Sequence, residues 1–330
     1  VKLPFDPQFP RLSEDQPLLH ELQETRVRPV FIMGLHRSGT TFLYDCIARC
    51  FPVAQLSLYH LFYYGRLLTN HRDDNEQHDK DRLNRCFQAL GITDRKIDRV
   101  PVNADEVEEY GFLLRQHSGS FKVGDQNATL FAELCQKLLA VQPSSQAVLL
   151  KNPWDTGNAA KILQLFPDAR FVYISREPID VLNSMLNASL AYLDGPQHYL
   201  ELLLSRGQSR KGYRAGYAAW WLLRQARLLL GEGVISRGLR PLIARDVAKQ
   251  VVNYRNEVAS LPPSNAIELD YQRLVDNPAE VIRKLADFLD LPFELPVEGF
   301  EVRTRKNSNP ALAHYLPTLE RLISKADGQS

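Results

Sequence analysis

The chain has 330 residues, of which 44% are hydrophobic, and carries a formal net charge of +1. That length suits one large domain or two small ones, and the composition is that of a folded globular protein. A near-neutral charge balance gives no footprint for a polyanion and argues against nucleic acid as a partner.

The proline-rich lead (Pro4, Pro7, Pro10, Pro17) is followed by Leu12–Thr25, whose Ser13 cap, early acids and apolar spacing predict a short helix. Pro29–Met33 reads as a first core strand and Thr40–Cys50 as the helix after it. Residues 71–85 are almost entirely charged or polar, a solvated loop or helix face, with a mobile lid as the alternative. Ala147–Leu150 is a second strand ending at Lys151, and Asn158–Phe166 has helical apolar spacing. Phe171–Ser175 is a third strand, with a helix from Pro178 onward. A helical region over 190–262 precedes a last strand, Ala266–Asp270, and a helix, Ala279–Leu289. Strands alternating with helices predict an α/β fold, a parallel sheet covered on both faces. With no internal repeat and no clear linker, the simplest reading is one domain over 1–330 with a helical insertion and residues 1–27 as its lead.

The four cysteines (Cys46, Cys50, Cys86, Cys135) form no CxxC pair and have no histidine at zinc spacing. No metal site is expected, and a reduced, cytoplasmic compartment is. Cys46 and Cys50, four apart on the first helix, read as small core residues. No run of the roughly 18 apolar residues that a transmembrane helix needs is present. The sequons at Asn127 and Asn187 are at chance frequency. Val1–Phe5 is not a signal peptide, and the missing initial Met suggests a piece of a longer protein.

The most informative stretch is RPVFIMGLHRSGTTF, residues 28–42, a buried strand running into a glycine turn and a helix that opens on hydroxyls. Backbone N–H groups of such a turn point one way and the helix dipole adds positive charge, which makes an anion site. Gly34 and Gly39 have Walker A spacing, but Thr40 stands where the lysine for the β- and γ-phosphates belongs. Arg37 is the cation inside the loop. Ligands of open parallel sheets sit at the carboxyl ends of the strands. Arg37, Lys151 and Arg176 each follow a strand end and are expected to face one crevice.

Three blocks then carry a resemblance: GLHRSGTTFL, LLKNPWDTGNAAKILQLFPDARFVYISREPIDVLNSML and ELDYQRLVDNPAEVIRKLADFLDLPF. In order and over about residues 28–290 they resemble sulfotransferases that use 3′-phosphoadenosine 5′-phosphosulfate (PAPS), in a bacterial or tyrosylprotein-like branch. Residues 52–145 and 190–260 match loosely. The resemblance implies a three-layer, P-loop-like α/β fold with a central parallel sheet flanked by helices. It also implies PAPS as co-substrate, adenosine 3′,5′-bisphosphate as product, no metal, and an acceptor bearing a hydroxyl or an amine. Arg37, Ser38, Gly39, Thr40 and Thr41 are expected to hold the 5′-phosphosulfate. Arg176, Pro178 and Ser184 reproduce the R-x-P-x(5)-S element for the 3′-phosphate, an arginine fork plus a hydroxyl. Phe42 and Tyr271 stand at positions near the adenine.

Lys151 matches the family lysine that faces the transferred group, where its charge stabilises the oxygen shared by phosphorus and sulfur. Cytosolic phenol- and hormone-type members place a basic histidine two residues later, but this chain has Pro153 there. His60 is the expected base in its stead, with Glu108 and Glu109 in reserve. The lid sequence RKGxxGDWK is absent. Arg305 and Lys306, in a basic stretch of the right region, are expected to close over the nucleotide. A P-loop small-molecule kinase is the alternative enzyme, disfavoured by Thr40 and by a lysine, not an acid, after the second strand. A catalytically silent nucleotide-binding protein is the other alternative.

Overall fold

The computed structural model describes residues 13–22, 25–95, 100–195, 197–204, 214–296, 300 and 309–328, with 214–217 described by backbone only. Its sheet has five parallel strands: β1 (Pro29–Gly34), β2 (Val53–Gln55), β3 (Ala147–Lys151), β4 (Arg170–Ser175) and β5 (Ala266–Asp270). Their spatial order is β2-β3-β1-β4-β5, which puts β1 at the centre. Successive side chains of a strand point to opposite faces. Accordingly Phe31, Met33, Val148, Leu150, Phe171 and Tyr173 enter one core, while Val30, Ile32, Leu149, Val172 and Ile174 enter the other. Both faces are therefore apolar, as a parallel sheet covered by helices requires.

Helix α1 (Thr40–Cys50) joins β1 to β2, and α2 (Leu58–Phe62), α3 (Leu67–Arg72), α4 (Glu76–Ala89), α5 (Gly111–Ser118) and α6 (Ala128–Val141) lie between β2 and β3. Helix α7 (Ala159–Leu165) joins β3 to β4. After β4 come α8 (Pro178–Tyr192), α9 (His198–Leu204), α10 (Arg214–Leu230) and α11 (Glu232–Ser260). After β5 come α12 (Tyr271–Asp276), α13 (Pro278–Leu289) and α14 (Leu316–Asp327). Helix α13 buries Val281, Ile282, Leu285, Ala286 and Leu289, one face at helical spacing, against the second core. Helix α1 joins it there, and its Cys46 and Cys50 are buried free thiols. Val181, Leu182 and Leu186 of α8, with Val247, Val251 and Val252 of α11, pack into the first core.

Two local expectations change, and the polar run resolves to one of its readings. The N-terminal helix is a 3-10 helix confined to Gln16–Leu22. Ser13 reaches across to the Gly65 carbonyl instead of capping, and the buried Asp15 pairs with the buried Lys137 at 2.9 Å. The polar run 71–85 is mostly helix α4, pinned by buried Asp79, which accepts from Arg66 (2.6 Å) and Asn70 (2.7 Å). Edge strand β2, only three residues long, was not expected at all, because so short a segment carries no readable alternation.

Candidate active site

The register of the sheet brings the three strand-end cations together. Ile32 pairs with Lys151, and Gly34 with Ile174, so the carboxyl ends of β1, β3 and β4 open on one crevice. The loop from β1 to α1 turns tightly, with Ser38 N–H bonded to the Leu35 carbonyl (3.1 Å) and positive φ at Arg37 (70°) and Gly39 (105°). Gly39 is doubly required. Its φ favours glycine, and a Cβ there would stand 2.3 Å from the Tyr271 ring. As the cap of α1 it offers no side chain, which leaves the amides of the first helical turn free for a ligand. Ser38 Oγ is buried and has no hydrogen-bond partner among the described residues, which matches a loop built around an anion.

The other elements close around this loop. Arg37 Nε donates to Ser184 Oγ of α8 at 3.0 Å, and Arg176 Nη1 donates to the Arg37 carbonyl at 3.2 Å. The Arg176 guanidinium lies 4.7 Å from the Tyr271 ring centroid, a cation–π contact that orients both. Asp180, one turn into α8, lies 3.8 Å from Arg176 Nε. Lys151 Nζ donates to Thr41 Oγ1 at 3.3 Å and is 4.0 Å from Glu109 Oε1. Thus Arg37, Ser38, Gly39, Thr40, Thr41, Lys151, Arg176, Ser184 and Tyr271 form one constellation. Phe42, the third residue of α1, is half-buried against the second core, as is Tyr271. Arg305 and Lys306 lie outside the described residues.

His60 does not join the constellation. Its Nδ1 accepts the Ser57 backbone N–H (3.1 Å) and lies 2.8 Å from Ser57 Oγ, completing a capping box at the start of α2. Burial, with help from the Lys80 charge, pushes its pKa down to about 3, so the imidazole is a neutral structural cap. The signal was present in the sequence. Ser57-x-x-His60 has capping-box spacing, with histidine in the place of the usual glutamate or glutamine.

The two reserve acids separate cleanly. Glu108 is buried and committed to Arg95 (3.4 Å) and to the Tyr199 hydroxyl. Glu109, on the next residue, turns instead to Lys151. A buried carboxylate, Asp155, holds this arrangement: it accepts from Tyr110 Oη (2.6 Å), Asn152 Nδ2 (2.8 Å), Asn158 Nδ2 (2.6 Å) and the Val123 N–H (3.2 Å). Tyr110 follows Glu109 and Asn152 follows Lys151, so one carboxylate fixes the neighbours of both. Burial pushes the Asp155 pKa up, against the pull of these donors. Sequence reasoning missed Asp155, whose role exists only in the folded contacts, and also His36. The latter sits in the loop beside Arg37, makes an edge contact with Trp154 at 6.0 Å, and has its pKa lowered by burial, opposed by Asp246 and reinforced by Arg37 and Lys151.

Two cavities adjoin β-strand ends. The larger, about 330 Å³, lies along β5, α12 and α13 and is lined by Glu268, Asp270, Asp276 and Glu280 against only Arg273 and Lys284. Its acidic excess disfavours an anionic ligand. The smaller, about 180 Å³, is lined in part by Gly34, Leu35 and His36. Among the described residues no group of three or more His, Cys, Asp or Glu is placed to hold a metal ion, and no helix is long and apolar enough to cross a membrane.

Comparison with known proteins bears on the family and the fold. The profile described as "Sulfotransferase family" matches residues 29–235 and 231–295. Among solved structures the chain is similar to sulfotransferase STF9 from Mycobacterium avium (TM-score 0.57, 16% identity, 96% of this chain and 79% of that one). It is also similar to sulfotransferase STF1 from Mycobacterium tuberculosis (TM-score 0.53, 16% identity, 95% and 80%). At such identity the likeness is one of fold. A curated relative, an uncharacterized protein of Aquifex aeolicus, is 21% identical over 270 residues; the match takes in 81% of this chain and 26% of that protein's length.

Proposed function

The chain belongs to the sulfotransferase family, and we propose that it transfers a sulfuryl group from PAPS to an acceptor hydroxyl, releasing adenosine 3′,5′-bisphosphate. The observation that carries this reading is the Arg37–Ser184 hydrogen bond, together with Arg176 on the Arg37 carbonyl. These contacts weld an anion-binding loop to a second arginine and hydroxyl, so two anion sites share one wall. A nucleotide with phosphate-type groups at both its 3′ and 5′ positions fits that pair. An NTP with Mg²⁺ fits less well, because Thr40 replaces the Walker lysine and Lys151 follows β3.

In this reading the loop amides, Arg37, Ser38, Thr40 and Thr41 hold the 5′-phosphosulfate, and Arg176 with Ser184 holds the 3′-phosphate. Tyr271, fixed by Arg176 and by the missing Cβ of Gly39, supports the adenine, and Phe42 flanks it. Arg305 and Lys306 cover the 3′-phosphate on sequence grounds alone. Bound PAPS supplies an activated sulfuryl group whose leaving phosphate gains charge as the S–O bond breaks. Lys151 and Arg37 stabilise that charge from a largely dehydrated position, Lys151 being 6% exposed. The general base is Glu109 in place of His60, since it is the carboxylate beside Lys151. Its oxygen takes the proton of the acceptor hydroxyl as that oxygen attacks sulfur in line with the departing phosphate.

The test is incubation with PAPS carrying labelled sulfate and a mixed panel of hydroxyl acceptors. Label should move to an acceptor in step with release of adenosine 3′,5′-bisphosphate, and Glu109→Gln should suppress both. Label that stays on PAPS with every acceptor, while the nucleotide binds, would leave a silent nucleotide-binding protein.

A further inference from the structure

The smaller cavity adjoins the start of the loop that carries Arg37 and the turn after Lys151, and it is not used by the nucleotide in the reading above. Gly34, Leu35 and His36, immediately before Arg37, line it together with Pro153, Trp154 and Thr156 of the turn that follows Lys151. Gln250 and Asn253 of α11 complete the lining. The walls are preorganised. Trp154 stacks on Phe121 with ring centroids 4.3 Å apart, Thr156 Oγ1 donates to the Gly34 carbonyl (2.9 Å), and buried Asp155 anchors the turn between them.

The lining decides what kind of group fits. It contains no Asp, Glu, Lys or Arg. Asp246, exposed on α11, accepts from Gln250 Nε2 at 2.6 Å. That bond orients the Gln250 amide and leaves Oε1 as an acceptor. The Asn253 amide and the His36 imidazole have no hydrogen-bond partner among the described residues. Gln250, Asn253 and His36 thus line, together with the Trp154 indole, a space of about 180 Å³. Clefts for drug-sized ligands run to about 300–1,000 Å³, so this one takes a single ring.

We propose that this cleft is the acceptor seat, and that it takes an uncharged, hydroxyl-bearing saturated ring, a monosaccharide unit or similar cyclic polyol. The proposal rests on the sulfotransferase reading for its chemistry, though not for the binding it predicts. An amine is disfavoured by the neighbouring Arg37 and Lys151 charges. A plain phenol would desolvate the Gln250, Asn253 and His36 polar groups without pairing them, a loss that sites built for hydroxyls use to reject analogues lacking them. A polyol pairs all three while its ring lies on Trp154.

The test is saturation-transfer NMR on the full chain, with and without adenosine 3′,5′-bisphosphate, using methyl glucoside, methyl galactoside, p-cresol and butylamine as probes. A glycoside should bind saturably, and Gln250→Ala with Asn253→Ala should weaken it by about tenfold or more, since two hydroxyl partners are lost. The same double variant should bind the bisphosphate as the parent does, which shows that it is folded. Preference for p-cresol or butylamine, silence from both glycosides, or unchanged glycoside affinity in the double variant would each overturn the proposal. Failure of the bisphosphate to bind, with glycoside binding intact, would strike the PAPS reading and leave the seat standing.

Discussion

The proposed nucleotide half and the proposed acceptor half of the crevice are built in different ways. On the nucleotide side each part comes from a contiguous motif: a strand, a glycine turn and a helix start for the loop, and a strand end with the first two turns of α8 for Arg176 and Ser184. On the acceptor side no motif suffices. Glu109 comes from the stretch before α5, Lys151 from β3, and Gln250 and Asn253 from α11, and buried Asp155 links the first two. An anion can be held by backbone amides, and backbone conformation is encoded locally. A base and a seat for a hydroxyl need side chains set by long-range packing.

If the catalytic pair belongs to the acceptor half, breaking it should cost turnover and spare nucleotide binding. Lys151→Ala and Glu109→Gln should each reduce the rate by about 10²–10⁴-fold, the range for losing a charge stabiliser or general base. Adenosine 3′,5′-bisphosphate affinity, followed by calorimetry, should change little in either variant. Parent-like turnover in Glu109→Gln would return the base to another residue.

The nucleotide half should show the opposite pattern. Arg176→Ala removes a charge-assisted contact worth about 1.5–3 kcal/mol, so binding should weaken roughly ten- to a hundredfold for the 3′,5′-bisphosphate. Adenosine 5′-phosphate, which lacks the 3′ group, should be far less affected. Equal losses for both nucleotides would assign Arg176 to general loop support. Gly39→Ala should weaken both nucleotides alike, because the new Cβ meets the Tyr271 ring at 2.3 Å and the φ of 105° becomes strained. Adding Tyr271→Ala relieves the clash but leaves the strained φ and removes the ring proposed to support the adenine, so at most partial recovery is expected.

The smallest effect on turnover is expected at His60, and it sharpens the boundary between the halves. Glutamine can complete the same capping box, so His60→Gln should turn over like the parent. Stability should differ with pH. With a folded pKa of about 3 against an ordinary 6.5, the unfolded chain binds the proton first as pH falls. The parent therefore loses about 1.4 kcal/mol per pH unit across that window, and the variant lacks this slope. Chemical denaturation at several pH values would read it, and identical slopes would remove His60 from its buried place.

The same division explains what could be read from the sequence. Strands β1, β3, β4 and β5 and the helices after them announce themselves by apolar runs bounded by Gly, Pro and capping residues. The parallel sheet and the convergence of Arg37, Lys151 and Arg176 follow from that order. Between β2 and β3 the chain instead forms five helices whose buried faces include Tyr59, Tyr63 and Tyr110, aromatic residues that also suit strands and pocket walls. There periodicity cannot tell a cap from a base, and on sequence alone His60 reads as the base ahead of Glu108 and Glu109. The packed structure shows His60 capping α2, while Asp155 ties Tyr110 to Asn152 and leaves Glu109 near Lys151.

The most direct test of the central claim is calorimetric titration of the protein with adenosine 3′,5′-bisphosphate and, separately, with ATP and Mg²⁺. The two-anion wall formed by Arg37, Ser184 and Arg176 predicts saturable binding of the bisphosphate and little or none of ATP. Binding of ATP with Mg²⁺ while the bisphosphate stays silent would contradict it and point to a phosphoryl-transfer enzyme.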